Sequence, residues 1–169
     1  IGQLIYFFIK RTTMKNIRLI IVLLVLFPFA AAANIQPDRV ITYKETDEAS
    51  LKVHVFMPAN HKASDTRPAI VFFFGGGWVG GKPIQFYKQS KHLASKGMVA
   101  ISAEYRIKNK HNTTPKEAVQ DAKSAIRWVR AHASELGIDP KRVAAGGASA
   151  GGHLAAATAT LDEFNEATE

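Results

Sequence analysis

The segment Gly146-Gly147-Ala148-Ser149-Ala150-Gly151-Gly152-His153 holds the residues of this chain best suited to do chemistry, with one serine flanked two residues away on each side by Gly147 and Gly151. A serine hydroxyl reaches a carbonyl carbon only if it stands clear of the backbone around it. A sharp strand-to-helix turn lifts it there, provided that the positions two before and two after carry no side chain. A helix beginning just after Ser149 also turns amide N–H groups toward the point where negative charge develops in acyl transfer, and the N–H of Ala150 is one such donor. The same glycines suit a phosphate-cradling turn or tight packing alone. No lysine precedes the serine, as the lysine-bearing phosphate loop requires, and the spacing differs from the dinucleotide fingerprint.

A second glycine-rich turn, Phe74-Gly75-Gly76-Gly77-Trp78-Val79-Gly80-Gly81, directly follows the apolar run Ala69 to Phe74. Glycine lets backbone come close to a substrate oxygen and take up unusual dihedrals, so an oxyanion-binding loop fits here. A flexible hairpin or a ligand loop of another sort is the competing reading. Trp78 either lines an acyl or alcohol pocket or caps the core.

These turns need a rigid frame, and the pattern around them supplies one. Ser50 to Met57 alternates Leu51, Val53, Val55 and Met57 with Lys52, His54 and Phe56, the period of a half-buried strand that Pro58 ends, and a strand around Val40 to Tyr43 pairs with it as a hairpin. Ala69 to Phe74 and Met98 to Ala103 are solid apolar runs, which suits strands buried on both faces. Gln85 to Lys96 predicts a helix ended by Gly97. Thr114-Pro115-Lys116-Glu117 gives an N-cap, a first-turn proline and a capping-box glutamate to a longer helix whose apolar stripe is Ala118, Ala122, Ala125, Ile126 and Val129, with Gly137 closing it. Arg142 to Ala145 predicts a short strand before the serine turn, and Ala150 to Leu161 a small-residue helix. This order describes a mostly parallel sheet with right-handed crossovers and helices on both faces.

With both turns and this order in place, the chain resembles the α/β-hydrolase fold, in its esterase and lipase group of hormone-sensitive-lipase-like and acetyl esterase type, over about Ser50 to Leu161. The carrying features are the two glycine turns, the helix segment Asp121 to Arg130 and the connector Leu136-Gly-Ile-Asp-Pro-Lys-Arg142. The resemblance implies that Ser149 is the nucleophile, that Gly75, Gly76 and Ala150 donate to the oxyanion, and that no metal or organic cofactor is required. Phe74 stands where the group has a loop histidine, so the hydrogen bond which that histidine makes is either replaced here or absent. The implied substrates are small-molecule or carbohydrate-linked esters of short acyl groups. A serine peptidase of the same fold and a non-catalytic binding protein that kept the fold are the alternatives.

In this fold the acid and the histidine follow the serine in chain order, which places them beyond residue 169 and makes residues 34 to 169 the N-terminal part of a hydrolase domain. His153 lies on the helix after the turn and faces away from the position of a base, so a packing role is expected. Asp162, Glu163 and Glu166 are expected to be solvated, and Asp121, which precedes the serine, structural or exposed. His54, His61, His92, His111 and His132 lack metal-ligand spacing.

Composition narrows the rest. The chain has 169 residues and a formal charge of +8, but Lys10, Arg11, Lys15 and Arg18 precede residue 34 with no acid among them, leaving 18 basic against 14 acidic residues. Those are mostly interspersed, the pattern of a solvated surface and not of a nucleic-acid face. With no cysteine, disulfides, thiolate metal sites and a cysteine nucleophile are excluded. Lys15 and Arg18, the apolar run Leu19 to Phe29 and Ala31-Ala32-Ala33 read as a signal peptide, Met14 to Ala33, cleaved before Asn34. Leu19 to Ala33 is 15 residues, short of the ~20 that span a bilayer, so no membrane span is expected after cleavage and the product is secreted or periplasmic. Residues 1–13 read as translated upstream sequence.

Overall fold

The computed structural model describes residues 34–164; the signal peptide expected at Met14 to Ala33, residues 1–13 and Glu166 lie outside the described residues. Five strands form one sheet: β1 (Arg39–Glu45), β2 (Ser50–Phe56), β3 (Arg67–Phe73), β4 (Val99–Ala103) and β5 (Ile138–Gly147). Their spatial order is β1-β2-β4-β3-β5. β1 and β2 make the expected antiparallel hairpin, and β2 joins β4 antiparallel. β3 runs parallel to both β4 and β5.

Among the described residues, a 3₁₀ turn (Pro83–Phe86) and three helices, α1 (Tyr87–Ser95), α2 (Lys108–His111) and α3 (Pro115–Ala131), lie between the strands, and α4 (Ala150–Thr160) follows β5. The strand alternation sorts the core into two layers. Val53, Val55, Val71, Phe73, Val99 and Ile101 pack with Ala118, Ala122 and Ala125 of α3 and Leu154 and Ala157 of α4. Phe56 and Ala100 face the other way and pack with Ala94 of α1. Helices therefore cover both faces, as right-handed crossovers between the parallel strands β3, β4 and β5 require when their direction reverses.

That reversal fixes where a site can form. From β3 the chain leaves into α1 on one face of the sheet, whereas from β5 it leaves into α4 on the other, so the connections leaving β3 and β5 diverge. A crevice opens at the carboxyl ends of two such strands. Both glycine turns sit there, one after β3 and one after β5.

Two element boundaries differ from the sequence reading. The helix expected from Gln85 begins as a 3₁₀ turn with Pro83 near its start, and regular α-helix starts only at Tyr87. The short strand expected at Arg142 to Ala145 is longer, because Ile138 also pairs with Arg67 ahead of a register shift, while Val143 to Gly147 pair with Ala69 to Phe73. The long helix has the expected capping box, Thr114 accepting from the N–H of Lys116 while Glu117 accepts from that of Thr114. Among the described residues no helix is long and apolar enough to cross a membrane.

Asp121 of α3 is structural, not exposed. It is fully buried, taking two side-chain hydrogen bonds from Arg106 at 2.8 and 2.9 Å, the Arg106 backbone N–H at 2.9 Å and Lys44 Nζ at 2.9 Å. Burial works against the Arg106 charge, yet the hydrogen bonds and field of Asp121 and Glu48 outweigh it and hold its pKa above the ordinary value. The cluster ties β1, the chain after β4 and α3 together.

Candidate active site

Ser149 occupies the turn between β5 and α4 with φ 50° and ψ −119°. A residue with a Cβ rarely holds that conformation, which costs of order 1–3 kcal/mol and persists only where the surroundings enforce it. Those surroundings are glycine. A Cβ on Gly147 would lie 2.3 Å from the carbonyl carbon of Gly151, and one on Gly151 would lie 2.0 Å from the carbonyl oxygen of Phe73. The start of α4 is thus pressed onto the end of β3, and Ser149 is pushed out, exposed at the crest of the turn. Ala150 opens α4, where an N–H has no intrahelical acceptor.

The triple-glycine loop lies directly against this turn. A Cβ on Gly75 would meet the carbonyl oxygen of Ala148 at 2.8 Å, so the first glycine of the loop and the residue preceding Ser149 are in backbone contact. Gly76 has φ 145° and Gly77 φ 61°, both in the range that favours glycine, and the carbonyl of Gly76 accepts from Val79 and Gly80 in a tight turn. The N-terminus of α2 fixes the far side of the loop, Lys108 and Asn109 donating to the carbonyls of Trp78 and Val79 at 2.9 and 3.1 Å.

One expected donor needs correction. The N–H of Gly75 is already committed to Gln85 Oε1, at 2.6 Å, so it is not free to meet a substrate oxygen. Gly76 and Gly77 are the loop glycines exposed at the crevice.

The hydrogen bond left open at Phe74 has been replaced. The ring of Phe74 stacks on Tyr105, with centroids 4.1 Å apart and planes 17° apart, and the Tyr105 hydroxyl donates to the carbonyl of Phe74 at 2.7 Å. Burial raises the pKa of Tyr105 well above the ordinary tyrosine value, so the hydroxyl keeps its proton and remains a donor. Neither Tyr105 nor Gln85 was singled out from the sequence; the signal available was the missing loop histidine, which obliged some other residue to hold the loop.

Trp78 packs against the main core cluster and meets the exposed His153 edge to face, with ring centroids 5.4 Å apart. It therefore caps the core, and His153 packs on it. The Trp78 indole N–H is buried without a partner among the described residues. Among the described residues no cluster of three His, Cys, Asp or Glu side chains could hold a metal ion.

A mixed sheet whose parallel strands end in a strained serine at the β5–α4 turn, with a glycine loop against it, defines an α/β-hydrolase. The chain belongs to the BD-FAE family, whose model matches residues 53–169. It is 50% identical to esterase 2 of the Planctomycetes species Thermogutta terrifontis, with a TM-score of 0.76 over 78% of this chain and 48% of that one. Among curated relatives it is 42% identical over 98 residues to esterase LipC of Mycobacterium tuberculosis, covering 56% of this chain and 24% of that protein. It is 33% identical over 125 residues to arylacetamide deacetylase of Rattus norvegicus, covering 71% and 31%. The chain thus spans about half the length of the solved esterase and a quarter to a third of these curated relatives.

Proposed function

We propose that Ser149 is the nucleophile of a serine carboxylic-ester hydrolase. Its Oγ bonds to the ester carbonyl carbon and passes its proton to a histidine; the tetrahedral oxygen is held by the amides of Ala150, Gly76 and Gly77. On collapse the bond to the alkoxy oxygen breaks, the histidine returns the proton to the leaving alcohol, and water then releases the acyl group from Ser149 by the same steps. The histidine and its acid partner come from chain following α4, in the order usual for this fold. The observation that carries this reading is the backbone of Ser149, an outlier that glycines on either side and the carbonyls of β3 enforce.

The proposed substrates are esters of short acyl groups, carbohydrate-linked ones included, acted on outside the cytoplasm after removal of Met14 to Ala33. Esterase 2 of Thermogutta terrifontis has been solved with propionate and with butyrate bound, which supports a short acyl side. N-terminal sequencing of the exported protein tests the location, and a start upstream of Asn34 contradicts it. The activity test compares propionyl, butyryl and long-chain esters on the complete gene product. Short esters are turned over and Ser149→Ala abolishes this, by about a millionfold if the residues act as the unit seen in serine hydrolases; turnover that survives the substitution sinks the assignment.

A further inference from the structure

The peptide unit joining Phe74 to Gly75 is clamped at both of its polar atoms. Its carbonyl oxygen accepts from the Tyr105 hydroxyl at 2.7 Å, and its N–H donates to Gln85 Oε1 at 2.6 Å. With both ends held, the plane of this peptide cannot rotate, and only φ and ψ of Gly75 are left to set the direction of the next amide, that of Gly76. A flexible run of three glycines has no such preference by itself.

Gln85 is well placed to act as one jaw of the clamp because its backbone is anchored on both sides. Ser102 Oγ, on β4, donates to the carbonyl of Pro83 at 2.8 Å. Phe86 stacks on Phe72 of β3, with ring centroids 4.7 Å apart and planes 5° apart. The next residue, Tyr87, is hydrogen-bonded through its hydroxyl to His54 Nδ1 at 2.7 Å, and His54 Nε2 in turn reaches Glu104 at 3.3 Å. Three ties to the sheet therefore hold the short turn that carries Gln85. The side chain itself belongs to an exposed residue and fills no core space, so its hydrogen bond to Gly75 is its main contact with the loop.

We infer that Gln85 is a positioning residue for the oxyanion hole: by taking the N–H of Gly75 it aims the amides of Gly76 and Gly77 at the crevice, sharing with Tyr105 the hold on a loop that has Phe74 in place of a hydrogen-bonding side chain. This rests on the ester-hydrolase reading of Ser149. Misplacing an oxyanion donor by about 1 Å costs on the order of a hundredfold in rate, while the ground-state ester, which needs that donor less, binds almost as before.

The test uses the complete gene product with Gln85→Met, which keeps the length of the side chain and removes the acceptor, and Gln85→Glu, which keeps an acceptor. Gln85→Met lowers kcat about 10- to 100-fold with KM within about twofold, speeds amide exchange at Gly75, and leaves the melting temperature near that of the parent. Gln85→Glu recovers most of the loss in kcat and the slow exchange. Unchanged kcat in Gln85→Met overturns the inference, as does unchanged exchange at Gly75. A rise in kcat also overturns it, since Gln85 would then be obstructing the loop, and so does a change confined to KM, which would mark a substrate contact. Ser149→Ala measured in parallel separates the two levels: if it abolishes turnover while Gln85→Met does not matter, only the positioning role is lost, and if it leaves turnover intact, the nucleophile and the role that depends on it fall together.

Discussion

Gly151 and Gly152 are adjacent residues of the first turn of α4, and replacing each by alanine gives opposite results. Alanine is favoured over glycine inside a helix by up to about 1 kcal/mol, so propensity alone predicts that both changes stabilise. Clearance separates them. A Cβ on Gly152 meets nothing nearer than the carbonyl oxygen of Gly147 at 3.4 Å, ordinary van der Waals contact. A Cβ on Gly151 lies 2.0 Å from the Phe73 oxygen, 2.5 Å from its carbon and 2.6 Å from the Phe74 oxygen. All three obstacles are backbone, so no side chain can swing away, and α4 must retreat from β3 by more than 1 Å. Overpacking of that kind costs about 1–3 kcal/mol, which outweighs the propensity gain. At about 2–4 °C per kcal/mol for a domain of 150–250 residues, Gly151→Ala melts several degrees below the parent, while Gly152→Ala melts at or slightly above it. Because Ser149 and the amide of Ala150 move with α4, Gly151→Ala also slows acylation by about a hundredfold. Thermal melts and ester turnover on the two variants side by side decide the matter. If Gly151→Ala is as stable and as active as Gly152→Ala, the close contact between α4 and β3 is not what shapes the serine turn.

Two further outcomes follow from the buried and half-buried ion pairs. Asp121→Ala leaves Arg106 and Lys44 without the carboxylate that both contact and destabilises the fold by about 3–5 kcal/mol, read as a drop in the urea midpoint; a change below about 1 kcal/mol refutes the structural role given to Asp121. At Glu104, burial opposes ionisation, but the hydrogen bonds from His54 and the Lys52 N–H, with the field of Lys110, outweigh it and hold the carboxyl below its ordinary 4.5. A carboxyl depressed in the folded state contributes stability that is fully present above the unfolded value and lost as pH falls through the folded one. The melting-temperature gap between the parent and Glu104→Gln is therefore widest near neutrality and closes as pH drops below about 4.5; a gap independent of pH contradicts the pairing.

Local chemistry made much of this molecule readable in advance. The hairpin β1–β2, the apolar strands β3 and β4, the capping box at Thr114 and the glycine-flanked Ser149 each depend on residues close in sequence, where spacing alone dictates conformation. What escaped depends on residues brought together by the fold. Asp121 looked ambiguous because its partners, Lys44 and Arg106, reach it from β1 and from the chain after β4. The resemblance made Gly75 a donor to substrate, and nothing in its neighbourhood shows that Gln85, ten residues on, takes its N–H. Likewise the early start of β5 at Ile138 comes from pairing with Arg67, a contact that the Asp139-Pro140 sequence does not advertise.

The central claim is that the hydroxyl of Ser149 is a reactive nucleophile facing an anion-binding cradle. Esterase 2 of Thermogutta terrifontis is known in a form phosphonylated by cyclosarin, and a fluorophosphonate offers the same phosphorus electrophile to this protein. Peptide mass spectrometry of the treated complete gene product is predicted to find one phosphonyl adduct, on the peptide containing Ser149, absent from Ser149→Ala. An adduct on another residue, or folded protein that takes up none, would contradict the account.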